Sequence, residues 1–214
     1  MDLYSMAESP PCRSVLMVID YLGVRVNLIN VDLSKGQHLE PSFLKLNPFH
    51  LIPTLVDGDL ILWESRAIIK YIVDKYSPDN QLYPKDVEKR AKIDQWLYQE
   101  MGTYNLLSGF MRPVFSGSKP DVTGKEKFMD SMKLIDNHLE ENNYLANNNL
   151  TIADISFIGS LSYAEACSVD LSSFKKIVSW MDRVKNELTN YNQINSSAMV
   201  NLTNYMQHLI SITE

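Results

Sequence analysis

The chain has 214 residues, 45% of them hydrophobic and 21% charged, with a formal net charge of -6. This composition suits a soluble globular protein with room for a full core, folded as one large domain or two small ones. It excludes a basic nucleic-acid surface, attraction to anionic membranes and, because no apolar run reaches bilayer length, a membrane span.

The N-terminal segment lacks a basic region followed by an apolar core, so no signal peptide is expected. Two cysteines, Cys12 and Cys167, suit a reducing compartment without a disulfide framework. Together these features predict a cytoplasmic protein. Three Asn-x-Ser/Thr matches, at Asn149, Asn195 and Asn201, are read as chance in an Asn-rich chain.

A short strand is expected at Leu3 and Tyr4, then a loop over 5–9. Pro10-Pro11 marks a helix start, and the helix is expected over 11–22 with Val15, Leu16, Val18 and Ile19 on its apolar face and Gly23 as its stop. Residues 24–31 read as a strand apolar on both faces. A polar loop over 34–39 leads to a short helix over 41–47, ending before Pro48. Residues 49–70 organise the rest. Leu51-Ile52-Pro53 is an apolar run broken by proline; 54–56 and 60–63 form a hairpin about Asp57-Gly58; a helix opens at Glu64-Ser65-Arg66. Pro53 cannot donate to a sheet ladder, and a cis bond there would turn the backbone edge of Ile52 outward, toward an extended ligand such as a peptide. Free amides at the start of the following helix favour a carboxylate, and Glu64 suits an amine.

Strand, helix, strand, helix, proline, two strands, helix is the thioredoxin-like order. In that fold the loop after the first strand faces the proline. Here the loop reads Ser9-Pro10-Pro11-Cys12, which lacks the paired cysteines of a dithiol oxidoreductase. Residues 78–85, within a polar, proline-bearing stretch, read as a linker, so the expected domains are 1–77 and 86–214. Beyond the linker the patterns are helical. A long helix over 87–115 carries Pro113 near its end, and Phe128, Met132, Ile135 and Leu139 mark another. Thr151 and Asp154 form a capping box with Leu150 and Ile155 as its staple. Helices over 174–188 and 199–210 complete an all-α domain.

The motifs SPPCR (9–13), NPFHLIPTL (47–55) and LWESRAI (62–68) resemble those of the cytosolic glutathione transferases, and most closely the serine-type insect delta and epsilon classes. The resemblance covers essentially the whole chain. It implies that Ser9 donates to the glutathione sulfur and that Ile52, beside cis Pro53, pairs with the cysteinyl backbone. It implies that Glu64 and Ser65 hold the γ-glutamyl group with Arg66 adding charge there as part of the glutathione site, and that His38 and His50 approach the glycyl carboxylate. Leu51 and Met101 would border the same site. A second, apolar site for the electrophile is expected from Pro11, Tyr104, Leu107, Met111, Phe115, Tyr205 and Met206. Glutathione is then a co-substrate, no metal or other cofactor is needed, and a homodimer is implied, with Arg66, Asp94 and Glu100 as candidates for charge pairs across it. His38, His50, His138 and His208 show no metal-ligand spacing.

The chemistry is consistent. A free thiol has a pKa of ~8.5. A hydrogen bond to a charged group is worth roughly 1.5–3 kcal/mol, enough to lower that pKa by about one to two units. The ionised sulfur is the nucleophile. Each residue also has a structural reading: Ser9 as a helix cap, Cys12 as packing, the histidines as loop residues, Glu64 and Ser65 as first-turn residues, and the apolar positions of the long helix as core. Glu8 departs from the small residue expected before the serine, and its charge disfavours a nearby thiolate. Two other functions remain open: a non-catalytic carrier of glutathione or apolar ligands, and a transferase-like interaction module. The latter is disfavoured by a chain expected to end at 214 without an appended domain.

Overall fold

The computed structural model describes residues 1–211. The sheet has four strands: β1 (Asp2–Ser5), β2 (Asn27–Asn30), β3 (Thr54–Asp57) and β4 (Leu60–Trp63). Their order is β2-β1-β3-β4, with β1 parallel to β2 and antiparallel to β3, and β3 antiparallel to β4. Helices α1 (Pro10–Tyr21) and α3 (Ser65–Tyr76) pack together, with the short α2 (Pro41–Leu44) between β2 and β3. Leu3 and Leu55 meet across the β1–β3 register and are fully buried with Val15, Ile68 and Ile72. This is the thioredoxin-like arrangement that the element order predicts. The strand expected over 24–31 is shorter and lies at the sheet edge, where Leu28 is 54% exposed, so it is not covered on both faces.

The rest is helical: α4 (Val87–Met111), α5 (Val122–His138), α6 (Ile152–Ala166), α7 (Lys175–Glu187) and α8 (Tyr191–Ser211). Asp86 caps α4 by accepting from the Lys89 amide. Pro113, which lacks an amide hydrogen, falls in a 3₁₀ segment, Arg112–Ser116, so the long helix ends earlier than expected. α8 begins well before the predicted 199, and the final residues of the expected helical domain, 212–214, lie outside the described residues.

α6 is the central helix, buried along almost its whole length. Its capping box is formed. The Asp154 carboxylate accepts from the Thr151 amide and hydroxyl, and also from the Leu145 amide and Trp180 Nε1, all at 2.8–2.9 Å. Leu150 and Ile155 are both buried beside it. Desolvation raises the Asp154 pKa and these donors oppose it, which marks a structural carboxylate rather than an acid catalyst. α6 also touches α1 closely. A Cβ on Gly159 would lie 2.3 Å from Ser14 Oγ and 3.2 Å from the Pro10 carbonyl, so only glycine permits this approach of the two domains.

Candidate active site

The loop after β1 ends at Ser9, which occupies the N-cap position of α1. Its amide donates to the Met6 carbonyl at 3.1 Å and its carbonyl accepts from the Arg13 amide at 3.0 Å. Its hydroxyl makes no capping bond to the helix. Cys12, a turn further on, is fully buried. Burial pushes its thiol up to about 11 against a smaller downward pull from the Ser9 hydroxyl, so it is packed and un-ionised.

Facing this loop, the Ile52–Pro53 bond is cis. The approach to it is tied by Asn47, itself fully buried. Asn47 Nδ2 donates to the Leu51 carbonyl and to Thr54 Oγ1, each at 3.0 Å, and Asn47 Oδ1 accepts from the Phe49 amide at 3.0 Å. Ile52 takes no backbone partner among the described residues, so its amide and carbonyl form a free edge. Glu64 stands at the start of α3 with φ of 70°, in the left-handed region, and its side chain is exposed. Ser65, the first residue of α3, is buried beneath it. His38 and His50 lie with ring centroids 6.1 Å apart, and His38 Nδ1 is buried without a partner among the described residues.

These groups meet in one cleft of about 540 Å³ between the domains. Ser9, Pro11, His38, His50, Leu51, Ile52, Pro53, Glu64, Ser65 and Arg66 line it from the first domain, and Met101 and Tyr104 from α4 of the helical domain. The remaining apolar candidates do not. Leu107 and Met111 on α4 and Met206 on α8 are at most 1% exposed and belong to the core, because these faces turn toward neighbouring helices. Phe115 and Tyr205 stack on each other, 6.2 Å between centroids and half-exposed, away from the cleft lining. In their place stand Asn105, Ser108 and Arg112, which the sequence reading missed, with Leu33 from the first domain. The signal was there: Met101, Tyr104, Asn105 and Ser108 follow helical spacing along one stripe of α4, and Arg112 continues it just past the helix end.

Arg66 reaches past the cleft into the helical domain. Its Nε and NH2 donate to Glu100 Oε2 at 2.7 and 2.6 Å. Glu100 is 1% exposed and also accepts from Ser156 at 2.9 Å and from Ser160. Burial raises the Glu100 carboxyl, and Arg66 and the two hydroxyls offset only part of that rise. Lys70 and Tyr83 likewise engage Asp94 at 3.4 and 2.9 Å. The charges suggested for a subunit interface are therefore satisfied within the chain. Among the described residues no group of metal-ligating side chains forms, and no helix is long and apolar enough to cross a membrane.

A thioredoxin-like domain whose serine loop faces a cis-proline edge, closed by a helical domain, defines a class of peptide-thiol-binding proteins. Two family models match the chain: the glutathione S-transferase N-terminal domain over residues 1–74 and the C-terminal domain over 102–187. The chain is 41% identical to glutathione S-transferase D6 of Drosophila melanogaster over 182 residues, 84% of this chain and 85% of that one. A delta-class glutathione transferase of Nilaparvata lugens superposes with a TM-score of 0.93 at 41% identity, covering 97% of this chain and 99% of its own. A Bombyx mori glutathione transferase gives 0.90 at 35% identity, covering 95% and 96%. The chain belongs to the glutathione S-transferase family and is an enzyme of the insect delta/epsilon kind.

Proposed function

We propose that Ser9 is the catalytic residue of glutathione conjugation to electrophilic small molecules, and that the cleft before it holds the tripeptide. The observation carrying this reading is the meeting of Ser9, the free Ile52 edge, Glu64, Ser65, His38 and His50 around one cleft. Glutathione lies along the Ile52 edge, its γ-glutamyl end at Glu64 and Ser65 and its glycyl carboxylate toward the histidines. The Ser9 hydroxyl donates to the sulfur, and the positive end of α1 adds to the pull. The thiol proton leaves to solvent, the sulfur forms a bond to the electrophilic carbon, and the leaving group departs with the electron pair of the bond that breaks.

The acceptor stands over Pro11, Met101 and Tyr104, with Asn105, Ser108 and Arg112 around its far end. An apolar electrophile carrying a polar or anionic substituent fits this lining better than a wholly apolar one. Detoxification of foreign electrophiles is the role we assign, in the cytoplasm, where two buried free cysteines stay reduced. Phe49, 58% exposed beside Trp63, and Tyr98, 65% exposed, support a homodimer by offering aromatic surface.

Turnover of 1-chloro-2,4-dinitrobenzene, compared between wild type and Ser9→Ala with glutathione affinity measured by calorimetry, tests this. A large loss of turnover with retained binding is expected. Equal, slow turnover with retained binding favours a carrier, and absent binding favours an interaction module.

A further inference from the structure

Arg13 is the feature the site does not yet explain. Its side chain is fully buried. NH1 donates to the Glu8 carbonyl at 2.8 Å and to the Ala7 carbonyl at 3.1 Å. NH2 donates to Ser162 Oγ at 2.9 Å and reaches the Gly159 carbonyl at 3.5 Å, both on α6 of the other domain. Nε has no partner, and no salt bridge to Arg13 forms among the described residues. Desolvation lowers its pKa, yet a guanidinium does not give up its proton in a protein, so the cation stays. A buried charge balanced only by neutral oxygens is costly, and an apolar side chain of similar volume would pack there more cheaply. Packing alone therefore does not account for it.

Its position does. The two carbonyls it holds belong to the residues immediately before Ser9, and Ser162 Oγ is fixed in turn by donating to the Gly159 carbonyl at 2.7 Å. The titratable groups near enough to act on its charge are Tyr191 on α8, Cys12 on its own helix, Tyr104 on α4 and Glu8 on the loop. Burial raises Cys12, Tyr104 and Tyr191, keeping them neutral, so Glu8 is the carboxylate in this set, and it makes no ion pair with the guanidinium.

We infer that Arg13 is a positioning residue for catalysis: it clamps the Ser9 loop against α6 and puts a desolvated positive charge behind the Ser9 hydroxyl. The inference rests on the proposed role of Ser9. It is tested by following the ultraviolet absorbance of the bound glutathione thiolate against pH, with kcat and KM, in wild type, Arg13→Met, Arg13→Lys and Ser162→Ala. Arg13→Met is expected to raise the bound thiol pKa by about one unit, a tenfold loss of thiolate below that pKa. The loss of kcat should accordingly be about tenfold on the acid side and shrink toward alkaline pH, with the glutathione KM changed less than about twofold. Arg13→Lys should recover most of the shift. Ser162→Ala, which keeps the charge and loosens the clamp, should raise the pKa by about half a unit and lower kcat about threefold, and it serves if Arg13→Met does not fold. Variants that melt earlier but keep the wild-type thiol pKa and pH profile overturn the inference. A wild type that neither binds nor conjugates glutathione would instead sink the reading of Ser9 itself.

Discussion

The link between Arg66 and Glu100 allows a quantitative test. Replacing Arg66 with alanine leaves a carboxylate that is 1% exposed with only two serine donors. Breaking a buried pair from one side costs ~3–5 kcal/mol. Because the Arg66 side chain keeps 13% of its exposure and the hydroxyls remain, the low end, about 3 kcal/mol, applies here. At ~2–4 °C per kcal/mol for a chain of this size, the melting temperature should fall by roughly 6–12 °C near neutral pH. The pH dependence has a definite sign. Burial already raises the Glu100 pKa above its unfolded value of ~4.3 with the guanidinium present, and removing Arg66 raises it further. A group raised in this way contributes its stability below the unfolded pKa and loses it as pH climbs through the folded one. The deficit of Arg66→Ala relative to wild type should therefore shrink as pH falls from about 8 toward 5. Adding Glu100→Gln should restore about 2 kcal/mol at neutral pH, because the unpaired charge is gone. Thermal unfolding of the three proteins across pH measures all of this. A deficit under about 1 kcal/mol at every pH, or one that does not shrink on acidification, would refute the desolvated-pair argument.

Three further outcomes are expected. Asp154→Ala strands the Leu145 and Thr151 amides and the Trp180 indole, so stability should drop by about 3–5 kcal/mol while kcat per folded molecule stays near wild type; urea unfolding with active-site titration checks it. Cys12 and Cys167, pushed by burial to about 11 and about 12, should resist iodoacetamide in the native protein, and mass spectrometry showing fast labelling of either at neutral pH would contradict their packing. Arg112→Gln should reduce kcat/KM for 4-chloro-3-nitrobenzoate by about fivefold while changing that for its methyl ester less than twofold, the upper size, ~1 kcal/mol, of one exposed ion pair. Equal effects on both acceptors would remove Arg112 from the acceptor end.

The first domain was legible in the sequence because its signals are local and rigid. Proline at 10, 11, 41 and 53 and the Asp57-Gly58 turn each constrain the backbone regardless of what packs around them. Strand β2 was overread because Val24, Val26 and Leu28 alternate as a buried strand does, whereas its place at the sheet edge, which is a matter of topology, leaves Leu28 in solvent. The wall of the helical domain was harder for a different reason. One residue along a helix turns the side chain by about 100°, so Leu107 and Met111 face the core while their neighbours Ser108 and Arg112 face the cleft. On α4, apolar residues lie on more than one face, and periodicity alone selects the core stripe. The supports of the site, Arg13, Asn47, Ser156 and Ser160, are polar groups whose partners lie far along the chain or across a loop, and nothing in their spacing announces them.

The central claim is that a serine hydroxyl lowers the pKa of a bound tripeptide thiol. Titrating that thiol by its thiolate absorbance in the glutathione complex of wild type and of Ser9→Ala tests it most directly. The wild-type complex should ionise about one to two units below the ~8.5 of the free thiol, and the Ser9→Ala complex close to the free value. Identical titrations in the two complexes, with glutathione bound in both, would contradict it.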